Sequence, residues 1–183
     1  MRVIGGTYRG RILKSPPDNK TRPTSDRLRE TLFNILAPRI EGSRFLDLCA
    51  GTGAIGIEAI SRGAAHATFV DRSRRACALI EENLDNLGVP EDETEVSALP
   101  AENFTGRKHE AGWDIVYFDP PYEMDYSIVL HEFGAEASNL LRDDGTLIVE
   151  HHAKNDLPDE IGILRRWRIY KQGETRLSFY ECK

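Results

Sequence analysis

The chain has 183 residues, 40% hydrophobic and 30% charged, which suits one globular core and excludes a disordered, fibrous or membrane-buried polypeptide. The opening Met1-Arg2-Val3-Ile4-Gly5-Gly6 lacks a signal-peptide apolar region and the apolar stretches are short, so the expected compartment is the cytoplasm. The net charge of −6 hides an asymmetry: residues 1–40 hold nine Lys/Arg against three Asp/Glu and residues 165–183 six against two, leaving nine against twenty-five between them.

In chain order, Arg2-Val3-Ile4 and Arg11-Ile12-Leu13 read as a short hairpin around Gly5-Gly6 and Gly10. Arg2, Arg9, Arg11, Lys14, Lys20, Arg22, Arg27 and Arg29, interleaved with Tyr8, are either a solvated surface or a phosphate-contacting arm, and charge alone leaves both readings open. A helix is expected after Pro23, with Thr24 as N-cap, Leu28, Leu32, Ile35 and Leu36 on one face, and Pro38 as its end. From residue 44 onward strands (45–49, 67–71, 94–98, 114–119, 145–150) alternate with helices (53–62, 73–87, 125–141 and a turn near 100–105), the pattern of a parallel sheet covered on both faces. Strands 163–170 and 176–182, separated only by Gln172-Gly173-Glu174-Thr175, predict an antiparallel hairpin at one edge of a seven-stranded, mostly parallel α/β sheet. The expected division is a basic extension over 1–40 and a main domain over 41–183. Cys49, Cys77 and Cys182 are widely spaced without a C-x-x-C pair and read as buried small apolar residues. The histidines show no metal-ligand spacing, so no metal is expected, and a monomer is the default.

The run Phe45 to Cys49 leads into Ala50-Gly51-Thr52-Gly53-Ala54-Ile55-Gly56, and a second strand ends in Asp71, twenty positions after Gly51. Glycines in the turn and a distal acid suit any nucleoside ligand and do not choose between NAD and S-adenosylmethionine (SAM). Asp47 chooses. A carboxylate at this place repels a pyrophosphate and favours the ammonium and sulfonium of SAM, and an acid inside an apolar run costs desolvation unless something cationic or hydrogen-bonding meets it. The stretch Asp47-Leu48-Cys49-Ala50-Gly51-Thr52-Gly53 is similar to the first motif of class I SAM-dependent methyltransferases, a Rossmann-like fold, and Asp71, with Arg72 beside it, fits their ribose-binding acid. That resemblance places Ser97-Ala98 next to the adenine, with Glu95 as the alternative if the third strand is read two residues differently.

The fourth strand delivers Asp119-Pro120-Pro121-Tyr122 to the carboxyl end of the sheet, where ligands bind in open α/β folds, and the two prolines stiffen the chain there. The tetrapeptide resembles the (D/N)-P-P-(Y/F) motif of amino methyltransferases. An exocyclic base amine is a poor nucleophile, so the task is orientation: Asp119 and the Pro120 carbonyl accept its N–H bonds, and Tyr122 stacks on the base. A base inside a helix is unreachable, so the target must be unpaired or flipped, and the basic arm, with Arg9 and Arg11, is suited to the flanking backbone.

Arg2-Val3-Ile4-Gly5-Gly6-x-x-Arg9-Gly10-Arg11, Arg22-Pro23-Thr24-x-x-x-Leu28-Arg29-Glu30-Thr31-Leu32-Phe33-Asn34 and Gly173-x-Thr175-x-Leu177-Ser178-Phe179-Tyr180 look like the RsmD family over essentially the whole chain. The resemblance implies methylation of guanine N2 in bacterial 16S ribosomal RNA, naked or in an assembled small subunit, with Arg22 and Thr24 near the target pocket. The rivals are an adenine-N6 DNA methyltransferase, a glutamine-N5 protein methyltransferase, for which Asn at position 119 is usual, and a non-catalytic nucleotide-binding protein or NAD oxidoreductase.

Overall fold

The computed structural model describes residues 1–16, 25–121 and 124–183. Five helices and eight strands alternate along it: α1 (Asp26–Ile40), β1 (Arg44–Leu48), α2 (Ala54–Ser61), β2 (His66–Asp71), α3 (Arg74–Leu87), β3 (Thr94–Ala98), α4 (Ala101–Thr105), β4 (Trp113–Phe118), α5 (Ser127–Gly134), β5 (Leu141–His152), β6 (Glu160–Ile161), β7 (Leu164–Gln172) and β8 (Thr175–Cys182). They form one sheet in the order β3-β2-β1-β4-β5-β8-β7-β6. The first five strands run parallel and β8, β7 and β6 antiparallel, so the chain reverses its direction of growth between β1 and β4.

Strand alternation sorts the core into two layers. Phe45, Phe69, Ile115, Tyr117, Ile148, Leu177 and Phe179 face α1, α2 and α3, while Leu46, Leu48, Val70, Val116, Phe118, Leu147 and Val149 face α4 and α5. Every residue of α2 is buried, because this helix lies between the sheet and the N-terminal segment. Its one acid, Glu58, is fully buried and accepts the amides of Ile4 and Gly5 at 2.8 Å each and the Arg62 Nε at 2.7 Å. Ser61 continues the seam by accepting from the Tyr8 amide and donating to the Gly5 carbonyl. At Gly6, with φ of 74°, a Cβ would lie 1.6 Å from the Ser61 carbonyl oxygen, so only glycine permits this approach. On α3, Asn83 accepts from the Lys14 amide and donates to the carbonyls of Lys14 and Thr52, which joins the segment to the glycine turn.

Several expectations need correction. The N-terminal hairpin is present but minimal: one antiparallel bridge, Arg2 to Ile12, flanked by Val3 N to Arg11 O at 3.0 Å, Gly10 N to Val3 O at 2.9 Å and Leu13 N to Met1 O at 2.9 Å. Ser25, not Thr24, caps α1 through the Leu28 amide at 3.2 Å. Pro38 does not end α1: it removes one hydrogen bond near the C-terminus, while burial of Leu36 and Ile40 on either side keeps the last turn in place. The helix predicted over 125–141 covers only Ser127–Gly134, because Gly134 packs on the backbone of Ile161, and its carbonyl accepts from the Ile163 amide. The strand predicted from 145 starts at Leu141, with a shift of register against β4 between Trp113 and Ile115. The sheet has eight strands instead of seven, since β6 pairs with β7 across Gly162 and Ile163.

Replacing Glu58 by Ala strands two backbone amides and the Arg62 and Arg29 guanidiniums in an apolar layer. The expected loss is about 3–5 kcal/mol in urea denaturation; a change under about 0.5 kcal/mol would show that the buried acid does not hold this seam.

Candidate active site

The acid expected to discriminate between ligands lies at the carboxyl end of β1. Asp47 is 2% exposed, faces α2, and its Oδ2 accepts the Gly56 amide at 2.9 Å. Gly56 is in the first turn of α2, where amides lack helical partners and the helix dipole favours negative charge. Burial nevertheless pushes the Asp47 carboxyl up to about 8; the Gly56 hydrogen bond opposes that rise and the charge of Asp71 adds to it.

The turn after β1 is wound through left-handed backbone at Cys49 (φ 64°) and Gly51 (φ 55°), the first of these at a cost of order 1–3 kcal/mol for a non-glycine residue. Ala50 N to Val70 O at 3.0 Å and Gly53 N to Ala50 O at 2.8 Å hold it in that shape. Cys49 is therefore a half-buried turn residue and not the buried core thiol expected; Cys182 is likewise half-buried, and only Cys77 matches that reading. Burial, followed by the charges of Asp71 and Asp119, raises the Cys49 thiol far above its usual range. The distal acid pins the same turn: Asp71 Oδ2 accepts the Gly51 amide at 2.9 Å and Oδ1 the Ser73 amide at 2.8 Å. Arg72 beside it is exposed. Gly56 serves packing, since a Cβ there would lie 2.3 Å from the Phe69 ring.

Pairing of β1 with β4 sets Asp47 opposite Tyr117 and Leu48 opposite Phe118, and the Asp119 amide donates to Leu48 O at 3.3 Å. The double-proline loop thus leaves the sheet beside the glycine turn. Asp119 is half-buried, Pro120 buried and Pro121 exposed, and the Met124 amide returns to Pro121 O at 2.9 Å. Burial raises the Asp119 carboxyl well above the ordinary range, followed by the charges of Glu150 and Asp47. Glu150, on β5, accepts from the Tyr117 hydroxyl. Sequence reasoning missed Tyr117 and Glu150, although alternation along β4 and β5 puts 117, 119 and 150 on the face that carries Asp47. Among the described residues neither Asp47 nor Asp119 forms an ion pair with a cationic side chain. The chemistry of this donor set fits a cationic ligand over the glycine turn.

At β3 the register puts Ser97 opposite Val70 and Ala98 opposite Asp71 at the carboxyl end of the strand, whereas Glu95 pairs with Thr68 further back. On the N-terminal segment Arg9 is exposed, and Arg11 donates to the Asn86 carbonyl at 2.9 Å, beside the end of α3. Arg22, Thr24 and Tyr122 lie outside the described residues. A cleft of about 580 Å³, lined by Met124, Tyr126, Leu130, Asn155, Leu157 and Pro158, opens beside the double-proline loop on the α5 side, away from Asp47.

The family described as conserved hypothetical protein 95 matches residues 1–181. Ribosomal RNA small subunit methyltransferase D of Escherichia coli is 36% identical over 187 aligned residues, covering 99% of this chain and 89% of that protein. The chain belongs to the RsmD family. Within solved structures, hypothetical protein TTHA0928 of Thermus thermophilus is 33% identical with a TM-score of 0.82, covering 99% of each chain. The fold extends beyond the RsmD family: SMU.776, solved in complex with SAH, is 17% identical with a TM-score of 0.66 over 83% of this chain and 48% of its own.

Because the Asp47 carboxyl titrates higher in the folded chain than in the unfolded one, folding takes up a proton. Its contribution to stability is full in acid and is lost as pH rises from its usual value near 3.8 through about 8. Asp47→Asn keeps an acceptor for Gly56 without the charge, so in ligand-free protein its stability relative to wild type should improve by roughly 4 kcal/mol between about pH 5 and pH 9. Parallel curves in urea denaturation would refute the assignment.

Proposed function

We propose that this chain transfers the methyl group of SAM to the exocyclic N2 amine of a guanine in small-subunit ribosomal RNA, in the cytoplasm and as a monomer. The observation that carries the reading is the junction of two loops: Asp47, an acid with no cationic partner among the described residues, beside a rigid Asp119-Pro120-Pro121 loop tied to the end of β1 by the Asp119 amide. The Escherichia coli relative, a ribosomal RNA small subunit methyltransferase, supports ribosomal RNA as the substrate. Asp119 in place of Asn favours a base amine over a protein glutamine.

SAM supplies an electrophilic methyl group. Asp47 would hold its amino-acid cation, Asp71 and the Gly51 turn its ribose side, with Cys49, Ala50, Gly53 and Arg72 around them and Ser97-Ala98 beside the adenine. Asp119 and the Pro120 carbonyl accept the two N–H bonds of the target amine, which fixes the nitrogen lone pair in one direction and opposes the charge that develops on nitrogen. Tyr122 stacks on the base in the motif's usual manner. A cation in this site lowers the Asp119 and Asp47 carboxyls again, so Asp119 can take up the surplus proton after transfer. Residues 1–40, with Arg9, Arg11, Arg22 and Thr24, grip the RNA near the target.

Asp119→Ala should lower kcat by about 10²–10⁴-fold while SAM affinity, measured by calorimetry, changes less than about threefold. Methyl transfer to naked small-subunit RNA, assembled subunits, DNA and release factor, with the product nucleoside identified by mass spectrometry, tests the acceptor. An active Asp119→Ala enzyme, or a product other than N2-methylguanosine, overturns the corresponding part of the reading. SAM affinity should also climb as pH rises toward about 8, because the cation meets an Asp47 carboxylate only after its proton has left; affinity independent of pH would remove Asp47 from the site.

A further inference from the structure

The C-terminal hairpin leaves one feature that neither the core nor the site uses. Trp167 on β7 is 44% exposed, although its ring lies 5.5 Å from that of the buried Phe179. The register of β7 against β8 shifts between Arg166 and Arg168, and this irregularity turns Trp167 toward the face that carries α1. Arg165 and Arg168, on the same face, are exposed, and among the described residues neither forms an ion pair. β7 itself contains four Lys/Arg and no acid, in a chain whose net charge is −6.

Resting on the proposed RNA substrate, we propose that this face of β7 is a second RNA-binding surface, where Trp167 stacks on an unpaired base and Arg165 and Arg168 hold the neighbouring phosphates. Charge complementarity names the occupant. A cationic patch with an aromatic ring at its centre is the chemistry that binds single-stranded nucleic acid, in which every base has a stacking face and every linkage a charge.

Protection of an uncovered strand edge accounts for Arg and Lys on β7, whose partner β6 reaches only Arg165 and Leu164, but not for an indole left in solvent at their centre. The same charges discourage a second protein strand from pairing there. β7 ends at Gln172, which pairs with Thr175 opposite the end of β5, at the edge of the sheet where β1 and β4 also end, and the Gln172 side chain donates to the Ser25 hydroxyl at 3.1 Å, at the start of α1. Five residues of strand separate Trp167 from Gln172, about 17 Å at roughly 3.3 Å per residue. RNA on β7 would therefore approach the carboxyl edge of the sheet along this strand.

The chain's other tryptophan, Trp113, is 3% exposed and donates to the Thr68 hydroxyl, so acrylamide quenching of fluorescence reports on Trp167. Small-subunit RNA carrying an unpaired guanine loop should protect that emission in the wild type. Trp167→Ala should weaken RNA binding about tenfold or more and Trp167→Phe by less than about threefold, with SAM affinity unchanged in both. Arg165→Glu with Arg168→Glu should also weaken binding and lower the salt slope by about two. Should Trp167→Ala misfold, the quenching experiment and the double charge reversal still decide.

Trp167 equally quenchable at saturating RNA, with an unaltered salt slope in the double variant, overturns the proposal. Protection by assembled subunits but not by naked RNA also overturns it, in favour of a ribosomal protein contact. In either case a wild-type enzyme that still methylates small-subunit RNA leaves the function in place; only loss of that activity in the wild type would undo the function itself.

Discussion

Everything the site can do depends on two strands, far apart in sequence, lying side by side. β1 and β4 are neighbours because the chain returns to the middle of the sheet after building β2 and β3 on one side. At that reversal the loops after the two strands diverge to opposite faces and leave a crevice at their carboxyl ends. The Asp119 amide bound to Leu48 O fixes how far apart the loops begin. A slip of one residue in the pairing would turn Asp47 and Asp119 to opposite faces, so the apolar layers on both sides also guard the chemistry.

The site concentrates acids where water is scarce. Asp47, Asp119 and Glu150 share a face, Tyr117 donates to Glu150, and the raised carboxyls of Asp47 and Asp119 follow from burial first and from neighbouring acids second. Such a group of acids is a poor structural device, since their ionised forms repel and desolvation is not repaid. It becomes favourable when a cation enters. Elsewhere the protein handles a buried acid differently: Glu58 is surrounded by two amides and the guanidiniums of Arg62 and Arg29, which makes it a fastener for the N-terminal segment.

What could be read from the residues followed from local rules. The alternation of strands and helices, the glycine turn after β1, Asp71 after β2 and the double proline after β4 are each set by a few neighbouring positions, and the structure puts them where spacing implied. Misplaced features depend on partners distant in sequence. α5 stops at Gly134 because Ile161 packs there, and β6 is formed by pairing across Gly162, whose glycine between two isoleucines was the available signal. The role of Glu58 was hidden for the same reason: only the fold shows which amides reach it. Tyr117 and Glu150 were accessible from strand alternation, but only once β4 and β5 were known to be neighbours.

Cys49 shows a further effect of the crowded acids. A thiolate is a strong soft nucleophile, and one placed at the mouth of a turn that receives a sulfonium would compete for the alkyl group. Burial first and the nearby acids, led by Asp71, second hold the Cys49 thiol above its usual range, and a neutral thiol attacks slowly. If the turn holds SAM as proposed, the surroundings that draw in an alkylating cation are the same ones that disfavour ionisation of the sulfur beside it.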